Sequence, residues 1–364
     1  MRYATVSRRD AIKLTAALGS ALAVPGVLRA ETPKPTAITT DMIEAAGKEG
    51  LVVFYTAMDI PLAEELAKAF ERTYPGVKVR VKRSGAERIF QRVADERSLG
   101  LHEADVVCST DEAHFVRWKR DGLLAPYVPQ DVAQHFPSDA FDPDGMYAPV
   151  FCWLSPIAYN TQLIKPDGAP KAFADLLDDR WKGAIVKANP SYSGTILTAT
   201  FQLAEHLGWS YFEKLARQDV TQVQSALEPP KLIAAGKHAV QADGVDSALT
   251  LLKDAGAPVE IVYATEGTPL ITTPSGIFAS APQPNAARLF QSFLFSLEAQ
   301  QFLVDRGALH SFHALVKDRP GRPPLSALKL MRSDPNAVAA QSEDVKARYT
   351  QIFGLSSASS GDQR

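Results

Sequence analysis

The sequence predicts an α/β protein of two lobes, joined by strands that cross from one lobe to the other. Three observations carry this prediction. Short apolar segments alternate with amphipathic helical segments through the first half of the chain, as is typical of a largely parallel sheet with helices on both faces. The second half repeats this alternation in outline. Without its N-terminal 30 residues the chain still has more than 300, which is enough for two separate cores.

Residues 1–30 have the pattern of an export signal. Arg8 and Arg9 are followed by an apolar position and Lys13, and then by an Ala-, Leu- and Val-rich stretch that ends near Ala30. This order predicts a twin-arginine signal peptide. A membrane anchor is the alternative, but glycine and proline interrupt the apolar stretch, which is shorter than the roughly 20 residues that span a bilayer.

The charge balance argues against a nucleic-acid partner. The whole chain has 39 basic and 41 acidic residues and a formal net charge of −2. Because residues 1–30 contain five Lys or Arg and one Asp, the remaining chain has a net charge of about −6. Nucleic-acid binding requires a basic face, and none is indicated.

The first half of the chain predicts three strand and helix pairs. The continuously apolar "LVVFYT" at 51–56 predicts a strand buried on both faces. A helix follows from Pro61, and then "VKVRVKR" from Val77, whose alternation predicts a more exposed strand. The second helix begins near Ser84, with Glu87 at the capping-box spacing. "ADVVCST" and "DEAHFVRWKRDGLLAPY" supply the third buried strand and helix.

The second half predicts a similar series. "WKGAIVKAN" predicts a strand, and "SGTILTATFQLAEHLG" and "WSYFEKLARQ" predict helices, before the strand "HAVQADG" and the helix "VDSALTLLKDAG". The strands "VEIVYA" and "TPSGIFA" then precede "NAARLFQSFLFSLEAQQFLVDRG", which predicts one long amphipathic helix. We therefore expect two α/β lobes, each a mixed, mostly parallel sheet flanked by helices.

The two cysteines, Cys108 and Cys152, exclude a scaffold held by several disulfides. Each lies in an apolar, strand-like segment, where a small buried thiol is the favoured interpretation and a bridge between the two is the alternative.

In their order and spacing these segments resemble the periplasmic solute-binding proteins of ABC importers, the extracellular solute-binding family 1. The resemblance is to the cluster of that family that binds ferric iron, 2-aminoethylphosphonate, hexose phosphates, thiamine or polyamines. The segments that carry it are "LVVFYTA", "AEELAKAFERTYPGVKV", "ADVVCST", "YAPVFCWLSPIAYNT", "FADLLDDRWKGAIVKANPSYSGT" and "FLFSLEAQQFLVDRGA".

The resemblance implies a two-lobe periplasmic-binding-protein fold of type II-like topology, with the ligand in a cleft between the lobes. It also implies a monomer that works in the periplasm, has no cofactor, and passes a small-molecule solute to an inner-membrane ABC permease. The first lobe is expected at residues 32–153 plus 262–311. The second lobe, with the C-terminal tail, is expected at residues 154–261 plus 312–364.

Ligands of open α/β sheets bind beyond the C-terminal ends of strands, where helices begin. The Ser193-Gly194-Thr195 start of a helix offers free N–H groups, a hydroxyl and the positive end of the helix dipole to an anion. An ordinary N-cap facing water is the alternative. The ligand-binding residues predicted on these grounds are Tyr55, Thr56, Arg83, Ser84, Gly85, Ser155, Tyr159, Ser193, Gly194, Thr195 and Asp243.

Several of these assignments leave two interpretations open. Arg83 and Arg88 can add charge for an anion or lie on a solvated surface. Tyr159 can be a ligand-facing phenol or a strand aromatic. Asp243 can reach the cleft, whereas Asp246 is expected only to cap a helix.

The sequence contains no motif of a hydrolase elbow, a zinc protease or a P-loop, so we expect no enzyme activity. His310 and His313 have no evident acidic partner and are expected not to bind a metal. The family's iron binders have a tyrosine pair where this chain has "QADGVDS". The predicted solute is therefore a phosphonate, phosphate ester or carboxylate. A ferric-iron transport protein and a periplasmic sensor of the same fold are the alternatives.

The export signal predicts that the protein purified from a periplasmic fraction lacks about 30 N-terminal residues and is a monomer. Intact-mass measurement and light scattering test the two statements separately. A retained N-terminus or a stable dimer contradicts the respective prediction.

Overall fold

The computed structural model describes residues 33–110 and 112–355, so the predicted signal peptide lies outside the described residues. No helix within those ranges is long and apolar enough to span a bilayer. The α-helices in the described ranges are α1 Thr40–Glu49, α2 Ile60–Thr73, α3 Ala86–Ser98, α4 Glu112–Arg120, α5 Gln130–His135, α6 Gly194–Leu207, α7 Trp209–Leu215, α8 Glu228–Ala234, α9 Asp246–Asp254, α10 Pro284–Phe295, α11 Leu297–Gly307 and α12 Pro335–Ile352. The strands there are β1 Leu51–Thr56, β2 Lys78–Arg83, β3 Val106–Cys108, β4 Leu124–Ala125, β5 Ala148–Leu154, β6 Ile157–Asn160, β7 Ile185–Ala188, β8 Thr221–Val223, β9 Val240–Gln241, β10 Val259–Val262, β11 Thr268–Phe278 and β12 Leu330–Met331.

The strands form two separate mixed sheets, each flanked by helices, as the sequence predicts. The larger sheet has the order β12-β11-β3-β1-β2, with β4 and β5 also paired to β11, and we call it and its helices the first lobe. The smaller has the order β10-β6-β9-β7-β8 and belongs to the second lobe. β1 is parallel to β2 and β3, and β7 to β8 and β9, whereas β11 is antiparallel to β3, β4 and β5.

The chain passes from the larger sheet to the smaller between β5 and β6 and returns between β10 and β11. The lobe limits expected from the sequence remain a prediction. β12 pairs with β11 of the larger sheet, and α12 contacts helices of both lobes, as described below.

An aromatic cluster fills the core of the first lobe. Phe54 of β1, Phe70 of α2 and Phe290 of α10 are fully buried, and the Phe290 ring lies 5.0 Å from each of the other two. Both contacts are edge-to-face, the geometry that the ring quadrupoles favour. The apolar stripes predicted for these helices therefore face this core.

Two differences from the predicted helices have local causes. The long helix near residue 296 is two helices, because Ser296 has extended backbone dihedrals and its hydroxyl caps α11 by accepting the Ala299 N–H. A helix that the sequence analysis missed, α1, ends at Glu49, whose carboxylate accepts the Asn285 and Ala286 N–H groups at the start of α10. A carboxylate at a helix N-terminus is favourable.

Cys108 and Cys152 are buried free thiols and do not form a bridge. Both lie on strands that pair with β11, where Cys108 is opposite Ser275 and Cys152 is opposite Thr272. The partners are three positions apart along that strand, so the cysteines are separated along as well as across the sheet. This agrees with the favoured interpretation of buried thiols.

Asp246 is a buried junction between the lobes, which corrects its expected role as a helix cap. Its Oδ1 accepts the Leu154 N–H at 3.0 Å, and its Oδ2 lies 3.0 Å from His310 Nε2 and also pairs with Arg322. The cap position of α9 is instead Val245, which makes no side-chain cap bond. His310 therefore has an acidic partner that the sequence did not reveal.

We predict that Asp246→Asn lowers the free energy of unfolding by about 3–5 kcal/mol, because it leaves the Arg322 guanidinium buried without its counter-charge. Urea unfolding at pH 7 measures this cost. Although burial opposes ionisation, Arg322 and His310 lower the pKa of Asp246 below its ordinary value. Its contribution is therefore present above the pKa of an unfolded Asp and is lost as the pH falls through the lower folded value.

The matched control is Asp254→Asn, which removes an ion pair with Arg319 in which the Asp254 side chain is 49% exposed. We expect it to cost less than about 1 kcal/mol. Equal costs for the two variants contradict the role of Asp246 as a junction.

Candidate functional site

A polar cavity of about 230 Å³ lies between the two lobes. The first lobe contributes the loops after β1, β2 and β3, and the second contributes the start of α6, the loop after β8 and the start of α9. The cavity therefore lies beyond the C-terminal ends of parallel strands, where binding is expected in open sheets. The residues that line it are Ala57, Arg83, Gly85, Ala86, Glu87, Arg88, Thr110, Trp153, Ser191, Tyr192, Ser193, Gly194, Thr195, Gln224, Ser225, Ala226, Leu227, Glu228 and Val245.

Two helices of opposite lobes begin at this cavity. The cap of α3 is Gly85, which has no side chain to accept the first N–H groups, so the predicted capping box of Ser84 and Glu87 does not form. Ser193 caps α6 by accepting the Ile196 N–H at 3.4 Å. A Cβ added to Gly85 would lie 3.9 Å from the Tyr192 carbonyl oxygen. The two helix starts are thus within contact distance across the cleft.

Charged side chains of both signs line the same space. Arg83 and Arg88 are exposed cations of the first lobe. Glu87 is held by Lys346 at 3.1 Å and His114 at 3.5 Å. Burial opposes ionisation of Glu87, but these partners lower its pKa to about 2.

The one other carboxylate among the described lining residues, that of Glu228, accepts the Ser225 N–H at 3.0 Å near the start of α8. Both cavity carboxylates are therefore already engaged by positive or N–H groups.

Five of the residues predicted from the sequence line this cavity. They come from two segments, one at the end of β2 and one at the start of α6, which the fold brings together from opposite lobes. Thr195 is almost fully buried, whereas the Arg83 side chain is exposed. The five residues are Arg83, Gly85, Ser193, Gly194 and Thr195.

Three predicted residues of the first lobe lie near the cavity without lining it. The Tyr55 hydroxyl donates to Glu96 at 2.5 Å, in a core cluster on the other face of β1. The Thr56 hydroxyl accepts the Met58 N–H at 3.1 Å. The Ser84 N–H donates to the Thr56 carbonyl at 3.1 Å, which continues the strand pairing for one residue.

The three remaining predicted residues belong to the junction and core of the second lobe. Ser155 accepts the Gly244 N–H at 3.3 Å, and Tyr159 packs in the aromatic core cluster of that lobe. Asp243 forms a fully buried ion pair with Lys187 and accepts the Ala188 N–H at 3.1 Å. None of the three lines the cavity.

Sequence reasoning missed the loop after β8. Gln224 and Ser225 line the cavity because β8 is parallel to β7 and ends at the same edge of the smaller sheet. β8 is only three residues long and not fully buried, so it has no apolar pattern of its own. Because β8 was not predicted, nothing in the sequence placed Gln224 and Ser225 at the end of a strand.

The fold and this cavity define an interlobe binding protein, and comparison with known proteins identifies the family. The sequence profile of the bacterial extracellular solute-binding proteins matches residues 51–308. The chain belongs to this family, and the resemblance found in the sequence is confirmed.

Among solved structures, the chain is similar to the periplasmic binding protein AfuA from Actinobacillus pleuropneumoniae with fructose 6-phosphate bound. The TM-score is 0.77 at 26% identity, over 85% of this chain and 100% of that one. Iron-bound HitA from Pseudomonas aeruginosa gives a TM-score of 0.73 at 19% identity, over 83% and 99% of the chains. At that identity the likeness concerns the fold alone.

A probable ABC-transporter periplasmic-binding protein of Sinorhizobium fredii is 25% identical over 230 residues, which cover 59% of this chain and 62% of that protein.

Of the tyrosines near the cleft, Tyr192 lines the cavity, whereas Tyr55 and Tyr159 do not. Fe(III) favours anionic phenolates, but burial and then the Glu96 hydrogen bond raise the pKa of Tyr55, and burial and then Glu260 raise that of Tyr159. Among the described residues, no group of three or more His, Cys, Asp or Glu side chains is arranged to hold a metal ion.

We predict that the purified protein gains no visible phenolate-to-iron absorption band when ferric citrate is added. A titration followed by visible spectroscopy tests this. A band that Tyr159→Phe abolishes would show that Tyr159 is an iron ligand. Ferric iron would then be favoured over an organic anion as the solute.

Proposed function

We propose that the protein is the periplasmic solute-binding component of an ABC importer and captures a small organic anion in the interlobe cavity. The observation that carries this proposal is the meeting of two helix starts, those of α3 and α6, with Arg83 and Arg88 around one cavity. A phosphate ester, a phosphonate or a carboxylate has the oxygens that such a site binds.

The helix starts supply the preference for negative charge. The first N–H groups of a helix have no partner within it, and they lie at the positive end of the helix dipole. Gly85 leaves those of α3 without a side-chain acceptor, and Ser193 satisfies only the Ile196 N–H of α6. N–H groups at the two helix starts can bind ligand oxygens from both lobes, so one anion can hold the lobes together.

The cavity carboxylates do not oppose this assignment, because Glu87 is paired with Lys346 and His114 and Glu228 accepts a backbone N–H. Carboxylate oxygens also accept hydrogen bonds from hydroxyl groups. The similarity to AfuA, whose bound fructose 6-phosphate has both a phosphate and hydroxyl groups, supports a phosphate ester first among the candidates.

The remaining parts of the proposal rest on the family. We infer that the protein acts as a monomer without a cofactor, delivers its solute to an inner-membrane permease and has no enzyme activity. The cavity also allows a periplasmic sensor of the same fold, which the binding measurement alone does not separate from a transporter.

A thermal-shift panel followed by calorimetry tests the ligand class. The panel contains fructose 6-phosphate, glycerol 3-phosphate, 2-aminoethylphosphonate, citrate, inorganic phosphate and ferric citrate. Stabilisation by one or more of the organic anions supports the proposal. Binding of ferric iron alone, or of none of these compounds, contradicts it. Loss of uptake of the bound compound in a strain without the protein separates transport from sensing.

Substitutions at the start of α6 test whether its N–H groups bind the ligand. We expect Gly194→Val to weaken binding of the tightest panel ligand more than Thr195→Ala does, because a branched side chain obstructs the approach of ligand oxygens to backbone N–H groups. Thr195→Ala removes one hydroxyl and should cost about 1–3 kcal/mol of binding free energy. Calorimetry measures both.

The control is Thr198→Ala on the same helix, which lies away from the anion cavity and is expected to bind like the wild type. Melting curves of the unliganded variants detect any loss of folding. If Gly194→Val and Thr195→Ala bind like the wild type and only melt lower, the segment is an N-cap and the ligand is held elsewhere.

A further inference from the structure

The C-terminal helix α12 touches both lobes, and its end is anchored in the second. Tyr349 is fully buried, and its hydroxyl donates to Gln222 Oε1 at 2.9 Å. The Lys187 ammonium lies 4.8 Å from the centre of the Tyr349 ring, and the Phe212 ring lies 5.9 Å from it. An aromatic side chain held in a core in this way fixes α12 to the second lobe.

The contacts of α12 with the first lobe combine an apolar cluster, in which Val338 and Val345 lie with Ala113 of α4, with several polar contacts. Arg117 of α4 donates to the Ala339 carbonyl at 3.2 Å and also to the Ser342 hydroxyl. One turn further on, the Lys346 ammonium lies 3.1 Å from Glu87 Oε1, in the first turn of α3. Hydrogen bonds and ion pairs can be exchanged for contacts with water, whereas the Tyr349 ring would have to leave the core of the second lobe. The polar contacts with the first lobe are therefore the ones that can separate.

The ion pair of Lys346 and Glu87 lies at the edge of the anion cavity. Glu87 lines that cavity, and its side chain is 25% exposed against 16% for Lys346. A carboxylate in the first turn of α3 competes with a ligand anion for the same helix end and repels it when its charge is not balanced. Lys346 supplies that balance.

We propose that α12 is a latch that moves with the second lobe, and that its Lys346 joins Glu87 only when the cleft is closed. The latch stabilises the closed cleft and at the same time cancels the charge beside the bound anion. Lys346 is thus a positioning residue for anion binding, although it lies outside the cavity lining. The second of these effects rests on the proposed function, whereas the first does not.

The first test needs no ligand. Spin labels on Leu99→Cys in the first lobe and Leu163→Cys in the second report the distance between lobes, because both positions are well exposed. Cys108 and Cys152 are fully buried and burial raises the pKa of both thiols, so they should not take the label. We expect Lys346→Met to lower the ratio of closed to open molecules about three- to fivefold.

Two control variants accompany this measurement. Lys346→Arg keeps the charge and should keep the wild-type distance distribution. Lys253→Met removes an ion pair with Glu260 inside the second lobe, and should also leave it unchanged. If Lys346→Met leaves the distribution unchanged, α12 is not a latch and the inference is overturned.

The second test uses fructose 6-phosphate in calorimetry. We expect Lys346→Met to weaken its binding about tenfold, and the double variant Lys346→Met with Glu87→Gln to recover most of that loss. A merely structural effect of Lys346 predicts no recovery, so equal weakness of the single and double variants overturns the charge-balancing role.

A wild-type protein that binds no compound of the panel contradicts the proposed function. The distance measurement then still decides whether α12 is a latch.

Discussion

A single buried carboxylate, that of Asp246, fixes the place where the chain crosses between the lobes. Its oxygens accept from the end of β5, from His310 and from Arg322, which are segments far apart in the sequence. Because the carboxylate is fully buried, each of these partners must be in position for its charge to be tolerated. The cavity depends on this junction, since Val245, the residue before α9, lines the cavity.

The cleft combines positive helix ends with carboxylates that are already engaged. This engagement is compatible with the proposed binding of an anion in a cavity that acidic residues line. Glu87 pairs with Lys346, which offsets its negative charge beside the start of α3. The exposed side chain of Arg83 adds a positive charge at the same cavity.

Much of this architecture could be predicted from local patterns, and the site only in part. The buried strands and the helix start at Ser193 follow from apolar runs and a cap residue, which act over a few positions, whereas α3 is capped by Gly85 and not by the predicted Ser84. Tyr159 and Asp243 could not be placed, because side-chain direction depends on the pairing of β6 with β10 and on the buried partner Lys187. Asp246 was assigned to a local cap, whereas its partners come from segments as distant as Arg322. The helix α12 has a weak apolar pattern, since it packs against two lobes rather than one core.

The central place of β11 has a consequence for the order in which the protein forms. This strand pairs with β3, β4, β5 and β12 of the larger sheet, but it follows every strand of the smaller sheet in the chain. The sheet of the first lobe therefore cannot be completed until residues 268–278 have been synthesised. By then every strand of the second lobe has already been synthesised. Contacts of such long sequence separation slow folding and keep unpaired edges open for longer. The N-terminal half of the polypeptide thus has the greater need of protection by chaperones while it is being made.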